Sequence, residues 1–216
     1  MGNGRRPAAG EQRLQAQLGT GTRAGSFYRE QVLDHLNAEM QAFVARQELL
    51  FLGTADGNGE CDCSLRAGPP GFVTVLDPHR LAYPEYRGNG VMASLGNIEE
   101  TGRAGLLFLD FTRDVIGLHV NGRARVVADD DLRGEQPLLP HDDHPGRKAA
   151  LWLVVEVEEA YVHCSKHIPQ LLRLPPQRRY WGSDDRRRKG GDFFRVSSST
   201  RTDAPRAVRH RPVADG

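Results

Sequence analysis

Between residues 48 and 162 the apolar residues fall into about seven short runs, each bounded by turn-forming residues. Runs of this length, punctuated by Gly, Pro, Asn and Asp, read as strands, and tight turns join strands that lie antiparallel. Parallel pairing would need a crossover helix between successive runs, and most of these connections are too short to hold one. The expected strands are 48–55, 60–66, 72–76, 81–86, 104–111, 115–127 and 151–162. Asp56-Gly57-Asn58-Gly59 is the strongest hairpin signal, and Asn121-Gly122 reads as a bend or bulge inside a long strand. Helices are expected over 26–47, where Leu33, Leu36, Met40, Phe43 and Val44 follow helical spacing, and over 88–101. The pattern predicts a mainly β, α+β fold: a predominantly antiparallel barrel with helical additions.

Composition fits one domain with trimmings. Hydrophobic residues make up 38% of 216, an ordinary globular share once the 24 Gly are counted. No apolar stretch is long enough to span a membrane, and the polar start of the chain carries no secretory h-region. Three Cys describe no disulfide framework, so a reducing, cytoplasmic setting is expected. Residues 1–25 lack apolar periodicity and read as a disordered lead-in, followed by the barrel domain over 26–172. The remaining 173–216 read as a basic tail with twelve basic and five acidic residues, whose 181–194 island could dock back while the rest stays disordered. The whole chain is nearly neutral, at +1, and no nucleic-acid partner is expected.

The common catalytic signatures are missing: there is no Gly-x-Ser-x-Gly elbow and no P-loop. Cys61 and Cys63, with His163, Cys164 and His167, offer metal-binding atoms, but at no ribbon or finger spacing, so no metal is expected. Three segments instead suit an anion. Ser64 and Arg66 sit two apart on a strand, placing a hydroxyl and a guanidinium fork on one face. Tyr83-Pro-Glu-Tyr86-Arg-Gly-Asn89 runs through a Gly-flanked turn into a helix carrying Ser94 and Asn97, and a helix start is a ready phosphate cradle. His119-Val-Asn121-Gly-Arg adds alternating polar groups on a strand.

The order and spacing of Phe51-Leu-Gly-Thr-Ala-Asp, Cys63-Ser-Leu-Arg-Ala-Gly-Pro-Pro-Gly-Phe-Val, Leu76-Asp-Pro, Gly88-Asn-Gly-Val-Met-Ala-Ser-Leu-Gly-Asn-Ile, Gly105-Leu-Leu-Phe-Leu-Asp-Phe and Val120-Asn-Gly-Arg-Ala resemble the pyridoxamine 5′-phosphate oxidase-like family, in its predicted flavin-nucleotide-binding branch. The resemblance covers about residues 26–194. It implies a split β-barrel of six to seven mostly antiparallel strands, with FMN at the interface of a homodimer and a small-molecule substrate. Carried over by position, Ser64 and Arg66 match the strand at the flavin phosphate, and Tyr83 and Tyr86 the strand beside the ring. Asn89, Ser94 and Asn97 match the turn and helix completing the phosphate site. His119 and Asn121 match the strand facing the ring from across the site, with His119 the candidate for the pyrimidine edge. The Lys and Arg positions that take the substrate phosphate in true oxidases have no convincing equivalents here, so flavin binding carries over better than vitamin B6 chemistry. The resemblance thus implies a flavin-dependent oxidoreductase, with a non-catalytic flavin sensor or carrier, or an F420-dependent reductase, as alternatives.

Overall fold

A computed structural model of the chain describes residues 7–144, 146–174, 183–185 and 190–196. The chain divides into two units at Gly182/Ser183. The first holds every helix and strand discussed below. In the second, the N–H of Arg195 closes a turn on the Asp192 carbonyl at 3.0 Å. Trp181, most of the basic tail and residues 1–6 lie outside the described residues, so the expectations for the docking island and the disordered tail fall largely there.

Two helices, α1 (Ala9–Leu18) and α2 (Gly21–Gln31), occupy the segment read as a disordered lead-in. Neither buries a residue, which is why apolar periodicity gave no sign of them. Ala, Glu, Gln, Leu and Arg favour the helix intrinsically. Gly19 closes α1 in the left-handed conformation, at φ 65°. Gln15 donates to the Tyr28 hydroxyl at 2.7 Å and ties α1 to α2.

The single helix expected over 26–47 is broken. The chain leaves α2 at Val32, forms β1 (Val32–Leu33) against β8 (Leu151–His163), and re-enters a helix at α3 (Ala38–Ala45). Asn37 caps α3, its Oδ1 accepting the Met40 N–H at 2.9 Å. Strand pairing and a side-chain cap therefore override the helical spacing.

The remaining strands are β2 (Leu49–Ala55), β3 (Cys61–Ala67), β4 (Thr74–Asp77), β5 (Arg80–Glu85), β6 (Arg103–Asp110) and β7 (Ile116–Ala128). Helix α4 (Ala93–Thr101) links β5 to β6, and α5 (Asp129–Glu135) follows β7. All eight strands pair antiparallel in one sheet of order β3-β2-β6-β7-β8-β5-β4, with β1 also on β8. The sheet is an open, split-barrel-like one, as expected. The Asp56–Gly59 hairpin forms: Asp56 Oδ1 accepts the N–H groups of Asn58 and Glu60 at 2.9 and 2.8 Å.

A bulge also falls where Asn121-Gly122 placed it. Asn121 faces Glu159 while Gly122 faces Val157, leaving Glu158 as the extra residue on β8. Any Cβ on Gly122 would lie 1.9 Å from the Glu156 carbonyl oxygen, so only glycine admits this approach. No helix among the described residues is long and apolar enough to cross a membrane.

Alternation along the strands gives the sheet two distinct faces. The inner face carries the main core, with Leu50, Leu52, Leu106, Phe108, Val120, Leu153 and Val155 at most 1% exposed, and α4 packs Leu95 and Ile98 into it. The outer face carries the cross-strand row Leu65–Phe51–Leu107–His119–Tyr161–Val32.

Candidate functional site

The residues expected to bind a ligand divide between these faces. Ser64 pairs with Leu52, Leu52 with Leu106, and Leu106 with Val120, so Ser64 and Arg66 share the inner face. His119 and Asn121 are neighbours of Val120 and point to the outer face. Within a single chain the two sets do not surround one ligand.

On the inner face, Asp62, Ser64 and Arg66 follow one another at every second position of β3. Ser94, in the first turn of α4, meets the first two. Its Oγ lies 3.0 Å from Ser64 Oγ and donates to Asp62 Oδ2 at 2.5 Å. The first helical hydrogen bond of α4 runs from the Gly96 N–H to the Met92 carbonyl, and no side chain caps the helix start. Two hydroxyls thus converge beside a helix end whose first N–H groups precede the helical ladder. Asn97 anchors this arrangement, donating to Thr54 Oγ1 on β2 at 3.1 Å. Asn89 shapes the preceding loop, its Oδ1 accepting the Val91 N–H at 3.0 Å.

Arg66 has a second relationship that sequence reasoning missed. Its Nε lies 3.4 Å from Glu85 Oε2, with the two side chains 22% and 13% exposed. Strands β3 and β5 stand near opposite ends of the sheet order, so this ion pair spans the seam of the split barrel. Tyr83 lies fully buried on the same face of β5 as Glu85. The Arg66 Nε, Glu85 Oε2 and Tyr83 hydroxyl are all buried without a well-formed hydrogen bond. Burial pushes the Tyr83 hydroxyl well up, against the pull of the nearby Arg66 charge. Burial likewise lifts the Glu85 carboxyl above the usual 4.5, outweighing the lowering effect of Arg66. The available signal was alternation: Tyr83 and Glu85 occupy positions i and i+2 of one strand.

Tyr86 lies elsewhere. It is half-buried in a cleft of about 130 Å³ with Phe72, Pro84, Arg147 and Trp152. Burial, and then the Asp142 charge, raise its hydroxyl.

On the outer face, His119 stacks on Tyr161 with ring centroids 4.6 Å apart, and its Nε2 lies 2.9 Å from His163 Nδ1. One ring nitrogen donates and the other accepts, so the pair holds at most one proton between those two atoms. Burial, then the neighbouring His163, holds His119 below the usual 6.5. Asn121 donates to Glu159 Oε2 at 3.2 Å. Beside it, Gly53 and Gly105 face each other across β2 and β6 and leave a side-chain-free strip in an open groove of about 590 Å³. A Cβ on Gly105 would stand 3.1 Å from Asn121 Oδ1 and fill this cradle. Cys61 and Cys63 are exposed at the rim of the groove. Strands β2, β6 and β7 separate them from His163, so these thiols and imidazoles do not converge.

A family model of pyridoxamine 5′-phosphate oxidase matches residues 36–164. No curated protein matches the chain. Among solved structures, a variant of HupZ from Group A Streptococcus is 18% identical, covering 59% of this chain and 99% of that one, with a TM-score of 0.43. A candidate pyridoxamine 5′-phosphate oxidase of Lactobacillus delbrueckii is 25% identical, covering 59% and 94%, also with a TM-score of 0.43. HutZ, a heme storage protein of Vibrio cholerae, is 14% identical over 59% and 94%, with a TM-score of 0.40.

Proposed function

The chain belongs to the pyridoxamine 5′-phosphate oxidase family, and from that premise we propose that it is an FMN-binding protein that acts as an oxidoreductase on a small molecule. The observation that carries this reading is the convergence of Ser64 and Ser94 hydroxyls, 3.0 Å apart, at the uncapped start of α4. Hydroxyls and helix-start N–H groups suit phosphate oxygens. Arg66, two residues along the same strand face, supplies the positive charge. The Gly53–Gly105 strip supports the other half of the reading, because a flat ring system needs a surface without side chains. The residues present therefore fit a flavin nucleotide at both ends.

A second copy completes this site. Ser64 and Arg66, the groups suited to phosphate, lie on the inner face and His119 and Asn121 on the outer face, so two chains can enclose what one cannot. The half-exposed row of Leu65, Phe51 and Leu107 gives the outer face an apolar surface to cover. We assign it to a homodimer.

When bound, the flavin supplies the hydride and electron chemistry. The chain's own residues then orient and tune it. Arg66 offsets phosphate charge. Ser64 fixes the phosphate end together with Ser94, whose hydroxyl turns to the phosphate from Asp62, and Asn97 holds α4 in place for them. His119, poised neutral and held by Tyr161 and His163, can accept or donate a hydrogen bond at the ring's polar edge. A carrier role without turnover uses the same binding groups and lacks only a substrate.

The test is titration of the protein with FMN and with riboflavin, followed by flavin fluorescence. FMN binds more tightly than riboflavin, and Ser94→Ala narrows that gap by about five- to tenfold, the worth of one hydrogen bond to a charged group. Equal affinity for both flavins, unchanged by the substitution, contradicts the assignment.

A further inference from the structure

The groups suited to a phosphate are not waiting in isolation. Arg66 already faces a carboxylate, with Glu85 Oε2 3.4 Å from its Nε, across the seam between β3 and β5. Neither of these atoms makes a well-formed hydrogen bond, and both are buried. The contact is therefore electrostatic and loosely fitted, the kind that a better anion can replace. The other charged or titratable groups nearby are Tyr83, on β5 with Glu85, and Asp62, four positions before Arg66 on the same face of β3. Tyr83 stays protonated and neutral, and Asp62 is engaged by Ser94.

We propose that Glu85 is a built-in competitor for the Arg66 guanidinium, so that an anionic ligand end gains Arg66 only as Glu85 gives it up. Protonating Glu85 removes the competitor and strengthens binding of a phosphorylated ligand. Ionised Glu85 weakens it, and discriminates least against a ligand whose corresponding end is uncharged. Glu85 is thus a specificity-determining residue that couples ligand affinity to proton uptake. The buried position of the carboxyl lifts its titration above the usual 4.5, against the opposing pull of Arg66. This inference rests on the phosphate reading of Arg66, Ser64 and Ser94.

The experiment measures dissociation constants for FMN and riboflavin with the full-length protein from about pH 4.5 to about pH 8.5, in wild type and Glu85→Gln. The amide keeps the shape and removes the charge. The FMN phosphate itself loses charge on acidification, so the reading is the ratio of variant to wild type at each pH. Glu85→Gln should bind FMN about tenfold more tightly at the alkaline end, with the two proteins converging at the acid end. Riboflavin affinity should change little in either. A ratio near one for FMN at every pH overturns the inference while leaving FMN binding intact. An equal gain for riboflavin also overturns it, because Glu85 would then act on the ring and not on Arg66. Should Glu85→Gln fail to fold, the wild-type ratio of FMN to riboflavin affinity decides, after dividing by the same ratio for Arg66→Gln, which removes the cation the two anions compete for. A pH dependence shared by both proteins counts against Glu85. Failure of both flavins to bind wild type at any pH defeats the phosphate reading itself and this inference with it.

Discussion

Arg66 on β3 and Glu85 on β5 meet at 3.4 Å although four strands lie between theirs in the sheet order. The barrel is thus joined at its seam by side-chain charge and not by a backbone ladder. The guanidinium that spans the seam sits two residues from Ser64 on the same face of β3, so under the proposed function one ion pair links fold closure and ligand binding.

Removing one partner should expose the cost of burying the other. Arg66→Ala is expected to lose about 2 kcal/mol in urea unfolding at neutral pH, less than a fully buried pair would lose, because both side chains keep some contact with water. The Glu85 carboxyl titrates above its usual 4.5 in the folded protein. The folded state therefore keeps a proton that the unfolded chain has released, and stability falls as pH rises from about 4.5 through the raised value. Glu85→Gln should flatten that part of the profile.

Gly122→Ala is expected to destabilise by about 3 kcal/mol or more, read by chemical denaturation. The added Cβ would stand 1.9 Å from a main-chain oxygen of β8, and no side chain can move aside to relieve it. Alanine at Gly53, whose Cβ would keep 3.7 Å from the Gly105 carbonyl oxygen, should cost far less.

His119 should titrate below 6.5 in an NMR pH series, and its protonation should perturb the His163 signals at the same pH. The sign follows from burial. The unfolded chain takes up this proton first, so stability falls as pH drops below 6.5 toward the lowered value. His163→Gln removes the second cause and should move His119 part of the way back. Titration of His119 at or above 6.5 would contradict the pairing.

Leu65 stands at the exposed end of the apolar row on the outer face, 55% accessible. Leu65→Asp places a charge where a second copy would cover it. Light scattering at micromolar concentration should show wild type as a dimer and the variant shifted to monomer, with unchanged far-UV circular dichroism. A monomeric wild type would remove the two-chain site.

The sheet was legible because its turns are. Asp56–Gly59 and Asn121-Gly122 announced a hairpin and a bulge through backbone chemistry that is local to a few residues. The hydroxyl–guanidinium pair on β3 was legible through period-two alternation alone. What was missed depended on partners distant in sequence. Val32 leaves its helix to pair with Tyr161, and no local signal marks that. Residues 9–18 and 21–31 are helical without burying anything, so apolar spacing could not reveal them. That Ser64 and His119 face opposite sides follows from register across four strands, which sequence does not state. Glu85 was passed over because its importance arises only where the seam closes.

Flavin binding is read directly from the visible absorption spectrum of the purified full-length chain after exposure to FMN and removal of excess, followed by mass spectrometry of the group released on heating. The expected result is a yellow protein that retains and releases FMN, up to one per chain. A colourless protein that retains none, or one that instead releases F420 or haem and refuses FMN, would contradict it.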